Sequence, residues 1–268
     1  MCGLTCRSWS SLQARGTGFF LSPDGRFIIK THTRSECDQL LALLPEYRRH
    51  MDSYPHSWLV HFYGVYRVQC SPNARPVYFV VMNNVFRTRK HLAERYDLKG
   101  STLGRQTSRE TTTSDSSSMS SGRAGRAHRA ALVLKDLDLL DSHSRLRLGS
   151  RRKRILIDQL SADVDFLRRR ALMDYSLLVA IHRTRMPPLA LLAHALSIIR
   201  RRGSDGLPSQ SGRELYFVGV IDVLQRYTLR KFFETQIKSL RHSTAEISCV
   251  PPAQYAERFC GFVERVAE

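Results

Sequence analysis

LMDYSLLVAIH, residues 172–182, and YFVGVID, residues 216–222, decide the fold. They contain two short apolar runs, 177–181 and 216–221, with the length and composition of buried strands. Asp174 stands just before the first run and Asp222 just after the second. If the strands pair antiparallel, the start of one lies beside the end of the other. Both carboxylates then leave the same end of the hairpin, and the long segment between the strands leaves the opposite end. Two carboxylates so placed suit Mg²⁺, which takes one or two carboxylates plus phosphate oxygens. One of them can instead position an attacking hydroxyl while the other holds metal. The plainest alternative is a pair of turn residues at strand ends.

Working outward, residues 151–172 place Leu156, Leu160, Val164 and Leu167 at helical spacing. After Asp222, the basic residues Arg226, Arg230, Lys231, Lys238, Arg241 and His242 alternate with Tyr227, Leu229, Phe232, Phe233, Ile237 and Leu240. That mixture suits an element lying on an acidic bilayer, where each basic residue contributes about 1 kcal/mol. An ordinary helix with a solvated face has the same composition. The chain closes on YAERFCGFVERV, residues 255–266, an amphipathic helix.

Toward the N-terminus, residues 17–31 read as a hairpin turning at Ser22–Gly25. Pairing across that turn brings Lys30 near Gly16, Thr17 and Gly18. Glycines let backbone N–H groups approach phosphates, and a lysine on the next strand can hold them; a solvated strand lysine is the alternative. Leu40, Leu41, Leu43, Leu44 and Tyr47 mark a helix over 33–51, and 58–68 and 77–82 read as strands. In DLKGST, Asp97 to Thr102, Lys99 can reach a phosphate or can sit in a surface turn. A sheet-rich first part and a helix-led second part predict an α+β chain of two lobes with a cleft between them. Two stretches, 106–130 and 183–214, are rich in Ser, Gly, Pro and Arg and predict disorder.

The 42 basic and 24 acidic residues give a net charge of +18, which points to a polyanionic partner. Nucleic acid would rest on charge alone, since no nucleic-acid-binding motif accompanies it. No apolar run reaches the length of a spanning helix, and MCGLTCRSWSS has no apolar core of signal-peptide length. The six cysteines are scattered without zinc-ligand spacing, as expected of reduced thiols in the cytosol.

Taken in order, the strings FIIKT, HFYGVYRV, VVMNNVF, YDLKGST, LKDLDL, LMDYSLLVAIH, FVGVID and YAERF resemble the phosphatidylinositol phosphate kinase family. They span nearly all of 16–266. Within the family they are most similar to the phosphatidylinositol 4-phosphate 5-kinases, and there to the short 5-kinase-like branch. The resemblance implies a two-lobed, protein-kinase-related fold of antiparallel sheets with packed helices. Residues 16–105 would form the ATP-side lobe and 131–268 the C-terminal lobe.

It implies ATP and Mg²⁺ as cofactors. Gly16, Gly18, Lys30, Asn84 and Val85 would serve nucleotide, Asp222 metal, and Asp174 with Lys99 catalysis. The segment 223–246 would be the specificity loop, with Arg230, Lys231, Phe232, Glu234 and Lys238 toward lipid and membrane. The expected reaction phosphorylates the 5-hydroxyl of phosphatidylinositol 4-phosphate, on a cytoplasmic protein peripheral to the plasma membrane or other acidic membranes. Phosphoinositides and other phosphatidylinositol phosphate kinases are the implied partners. MCGLTCRSWSSLQAR, residues 1–15, departs from the family, so a truncated N-terminal lobe is expected. The 5-kinase-like branch also implies the alternative of a weak or inactive scaffold that binds phosphoinositide membranes and active kinases.

Overall fold

The computed structural model describes residues 18–102, 105–107, 132–142, 144–184, 206–227 and 250–268. It is an α+β structure whose described residues fall into two compact units, 18–55 with 60–87, and 56–59 with 88–268. Among the described residues no helix is long and apolar enough to cross a membrane.

The first unit is a four-stranded sheet in the order β1-β2-β4-β3 with one helix. Its elements are β1 (Phe19–Leu21), β2 (Phe27–His32), α1 (Arg34–Ser53), β3 (Phe62–Val68) and β4 (Val77–Asn83). All pairings are antiparallel, and the turn at Ser22–Gly25 joins β1 to β2 as the sequence predicts. Helix α1 starts at a capping box: Glu36 N–H donates to Thr33 Oγ1 at 3.2 Å, and Thr33 N–H donates to Glu36 Oε2 at 2.7 Å. Burial opposes ionisation of Glu36, but the Thr33 bonds outweigh it and hold the carboxyl below its usual range. The inward face of α1 is Cys37, Leu40, Leu43, Tyr47, His50 and Met51. Leu41, counted in the sequence pattern, is exposed because it lies about 100° around the helix from Leu40.

The second unit is a five-stranded sheet in the order β6-β5-β7-β9-β8. Its elements are β5 (Glu94–Leu98), β6 (Val133–Leu134), α2 (Asp136–Asp141), α3 (Ser150–Arg169), β7 (Ser176–Arg183), β8 (Leu207–Pro208), β9 (Glu214–Ile221) and α4 (Pro252–Val266). Only the β5/β6 pair is parallel. Leu177, Val179, Ala180 and Ile181 of β7 are all buried, as a central strand covered on both faces requires. Helices α3 and α4 pack on one another. Tyr175 meets Tyr255 and Phe259 of α4 edge-on, with ring centroids 4.7 and 5.1 Å apart.

Several boundaries differ from the sequence expectation. The run 58–68 is not one strand. Trp58 C=O accepts from Val220 N–H at 2.7 Å and Trp58 N–H donates to the buried carboxylate of Asp163 at 2.7 Å, so 56–59 belong with the second unit. Residues 88–102 and Arg105, assigned by sequence to the first lobe, also belong there, because β5 pairs with β7.

The predicted disorder over 183–214 is too long. Arg183 ends β7, and β8 with the turn before Glu214 is built, Ser209 N–H donating to Glu214 C=O at 2.8 Å. Residues 106–107 are held too, since Thr107 Oγ1 donates to Asp138 Oδ2 at 2.6 Å. Residues 108–130 and 185–205 of the two predicted inserts lie outside the described residues.

Four tyrosines sit in the second core: Tyr96, Tyr175, Tyr216 and Tyr255. Burial, foremost, pushes the Tyr96 hydroxyl up to about 12 and raises Tyr175, Tyr216 and Tyr255 as well. Their folded values lie above the unfolded value of 10.0, so their contribution is complete below that pH and is lost as pH rises past it. Each adds a slope of about 1.4 kcal/mol per pH unit once the unfolded chain ionises. Denaturant titrations should show stability falling steeply above about pH 10, with phenolate absorbance from these residues appearing only as the fold is lost. Phenolate signal from all tyrosines at full retention of circular dichroism would contradict this packing.

Candidate functional site

The end of the β7/β9 ribbon is closed by main-chain pairing on both sides of its carboxylates. Ser176 pairs with Ile221 on one side. On the other, Leu172 bridges Arg226, Met173 N–H donates to Gln225 C=O at 2.9 Å, and Tyr227 N–H donates to Ala171 C=O at 3.0 Å. Asp174 and Asp222 are carried within this frame, at one end of the ribbon as the apolar runs predict. Both have left-handed backbones, with φ of 63° and 58°, and among the described non-glycine residues only Ala171 shares that feature. Aspartate tolerates this region better than most side chains, but such strain persists only where surrounding structure enforces it, and it concentrates at functional sites.

Lys99 joins them through the sheet. Leu98 pairs with Leu177, so the residue after β5 emerges beside the start of β7. Lys99 Nζ donates to Asp174 Oδ1 at 2.8 Å, with the two side chains 15% and 31% exposed. DLKGST is therefore not a plain surface turn. Gly100, at φ +70°, lies against α4: an added Cβ would stand 3.1 Å from Phe262 Cβ and 3.2 Å from the Arg258 carbonyl oxygen. Helix α4 also supports the other side of the site, where Tyr255 Oη donates to the carbonyl of Tyr175, the residue after Asp174.

Two residues of this cluster were invisible as site residues in the sequence. Asp136, inside LKDLDL, is fully buried and accepts from Lys99 N–H at 2.9 Å and Gly100 N–H at 2.7 Å. Arg105 Nε donates to its other oxygen at 2.7 Å. The only hint in the sequence is an acidic residue placed to open a short helix.

In the first unit, Gly18 N–H donates to Thr31 Oγ1 at 2.6 Å and Thr31 N–H donates to Gly18 C=O at 2.9 Å. Lys30 is the neighbour of that pair, opposite Phe19, with Nζ 4.9 Å from the Phe19 ring centroid. Asn84 follows β4 into a turn. Its Nδ2 donates to Gly25 C=O at 2.9 Å, and its Oδ1 accepts from Phe86 N–H at 2.9 Å, leaving Val85 at the turn's apex. Gly16, Arg230, Lys231, Phe232, Glu234 and Lys238 lie outside the described residues, as does 228–246 of the expected specificity loop.

The donor set at the ribbon end fits Mg²⁺. Two hard carboxylates stand at one edge, and among the described residues no larger group of metal-ligating side chains gathers. Mg²⁺ binds with one or two protein carboxylates and completes its octahedron with water and substrate phosphate.

Comparison with known proteins gives this arrangement its class. The family model of the phosphatidylinositol-4-phosphate 5-kinases matches residues 2–191 and 193–266. The chain belongs to that family. It is 34% identical to a probable phosphatidylinositol phosphate kinase of Dictyostelium discoideum, over 94% of this chain and 41% of that protein. It is 34% identical to human phosphatidylinositol 4-phosphate 5-kinase-like protein 1, over 93% of this chain and 64% of that protein. It is 30% identical to the phosphatidylinositol 4-phosphate 5-kinase its3 of Schizosaccharomyces pombe, over 93% and 40%. The chain thus spans between 40% and 64% of the lengths of these three relatives.

Proposed function

We propose that the chain is a lipid kinase that transfers the γ-phosphoryl group of ATP to the 5-hydroxyl of phosphatidylinositol 4-phosphate at an acidic membrane surface. The observation that carries this reading is the Lys99–Asp174 pair at the ribbon end shared with Asp222. Asp174 orients the inositol hydroxyl and accepts its proton as the oxygen attacks phosphorus and the bond to the leaving ADP oxygen breaks. Lys99 holds the Asp174 carboxylate in place, its Nζ donating at 2.8 Å, and its ammonium faces the charge that develops on the transferring group. Asp222 would hold Mg²⁺, which when bound would supply positive charge to offset that of the phosphate oxygens. Lys30, with the backbone of Gly16 and Gly18, grips the phosphates of ATP, and Asn84 with Val85 meets its base. Arg230, Lys231, Phe232, Glu234 and Lys238 engage lipid on a peripheral, cytoplasmic face, aided by the net charge of +18.

The test is transfer of radiolabel from ATP to vesicles containing single phosphoinositide isomers, with Asp222→Asn alongside. Label appearing on phosphatidylinositol 4-phosphate, and lost in Asp222→Asn, is the expected result. Equal transfer by both proteins would end the proposed metal role. Absence of transfer, with binding to acidic but not neutral vesicles intact, would assign the chain to the scaffold reading instead.

A further inference from the structure

We propose that Asp136 is the positioning residue of the site, holding Lys99 against Asp174; this rests on the catalytic reading of that pair. The Asp136 carboxylate is fully buried at the first residue of α2. Its Oδ1 receives two successive backbone N–H groups, from Lys99 at 2.9 Å and Gly100 at 2.7 Å. Adjacent N–H groups in a turn with a left-handed residue form a concavity for an anion, and Gly100 at φ +70° supplies that conformation. Here the anion is the chain's own carboxylate.

Oδ2 takes Arg105 Nε at 2.7 Å. The other arm of Arg105 closes the loop: Nη2 donates to the Asp97 carbonyl and lies 3.6 Å from the Asp97 carboxylate. Residues 97–100 are thus gripped at both ends by one buried ion pair. A buried ion pair is weak evidence for stability, because desolvation cancels most of its attraction. What this pair fixes is a defined object: the backbone of a lysine whose long side chain would otherwise sample many rotamers. Anchoring that backbone beside β7 leaves Nζ one well-defined reach, 2.8 Å from Asp174.

A purely structural Asp136 and a positioning Asp136 differ in what happens at Lys99 in a folded variant. The experiment is amine acylation of the whole chain under native conditions, read residue by residue by mass spectrometry, with exposed Lys90 as internal reference. In the wild type Lys99 should react slowly relative to Lys90. In Asp136→Asn the Lys99 to Lys90 ratio should rise about tenfold or more, because the amide cannot accept from the two N–H groups and Arg105 together.

If Asp136→Asn does not fold, the double variant Arg105→Met with Asp136→Asn is read in its place, since it removes both buried charges together. Hydrogen exchange on the wild type needs no variant: the Lys99 and Gly100 amides should be protected to the level of the Leu98 amide in β5. Unchanged Lys99 reactivity in a folded variant, or free-loop exchange of those two amides, would overturn the proposal. None of these readouts requires turnover. Failure of the catalytic reading appears separately, as undiminished activity in Asp174→Asn. Where the wild type turns over, Asp136→Asn should lower kcat at unchanged KM for ATP.

Discussion

Asp174→Asn is expected to lower turnover about a thousand-fold while the fold and ATP binding stay nearly unchanged, since a positioned acid–base group contributes about 10² to 10⁴. Asparagine is the informative replacement. Asp174 has φ 63°, a region asparagine enters readily and alanine does not, so Asn removes the charge without adding backbone strain. The loss to stability should be small. The ion pair with Lys99 is 15% and 31% exposed, and solvent screening leaves such a pair about 1 kcal/mol or less.

The kinetic pattern distinguishes roles. An interaction made chiefly in the transition state lowers kcat and kcat/KM together. Asp222→Asn should differ: the Mg²⁺ concentration giving half-maximal rate should rise along with the fall in kcat, because the carboxylate proposed to hold the metal is lost. Steady-state assays on phosphatidylinositol 4-phosphate vesicles across a Mg²⁺ series separate the two. Turnover in Asp174→Asn within a few fold of the wild type would remove Asp174 from the chemistry, whatever its backbone strain.

That pair of aspartates was readable because the signal was local. Two apolar runs of strand length, each with one acidic residue at the matching end, admit one antiparallel pairing, and the structure has Ser176 opposite Ile221. The long helix α3 was readable for the same reason, through periodicity: Leu156, Leu160, Val164 and Leu167 are buried as one face of it.

What the pattern could not carry is anything set by contacts far apart in sequence. Strand β5, ERYDL, has only Tyr96 and Leu98 as inward apolar residues and reads as loop until β7 pairs with it. Helix α2 has six residues, too few for a periodicity to register. Asp136 looks like any helix-opening acid, and its burial depends on Arg105, 31 positions earlier. Trp58 and Leu59 read as the start of β3 because they are apolar, whereas Asp163, more than 100 positions away, decides which unit they join. The partnership of Lys99 with Asp174 is of the same kind. The family resemblance named both residues, but only the sheet order puts the end of β5 beside the start of β7.

Gly100→Ala should be the most destabilising single-methyl addition at a described glycine beside the site, and comparison with Gly25→Ala shows why. Both glycines have left-handed backbones, at φ +70° and +68°, so each substitution incurs the cost of forcing an alanine into that region, about 1–2 kcal/mol. They differ in surroundings. A Cβ on Gly25 meets nothing within 4 Å. A Cβ on Gly100 would stand 3.1 Å from Phe262 Cβ, 3.2 Å from the Arg258 carbonyl oxygen and 3.3 Å from Phe259 Cα.

Two of these are backbone atoms of α4 and the third is anchored directly to it, so no rotamer change relieves the crowding; overpacking of this sort costs about 1–3 kcal/mol. The sum for Gly100→Ala is therefore about 2–5 kcal/mol, against about 1–2 for Gly25→Ala, and in a chain this size each kcal/mol lowers Tm by about 2–4 °C. The damage also reaches function. Relief requires the turn to back away from α4, which pulls the Lys99 and Gly100 N–H groups off Asp136 and carries Lys99 away from Asp174. Gly100→Ala should thus lose both stability and turnover, and Gly25→Ala mainly a smaller share of stability. Calorimetry of the two variants measures the difference directly. Equal Tm losses would mean that the turn does not press on α4, and the loop carrying Lys99 would then lack its second support.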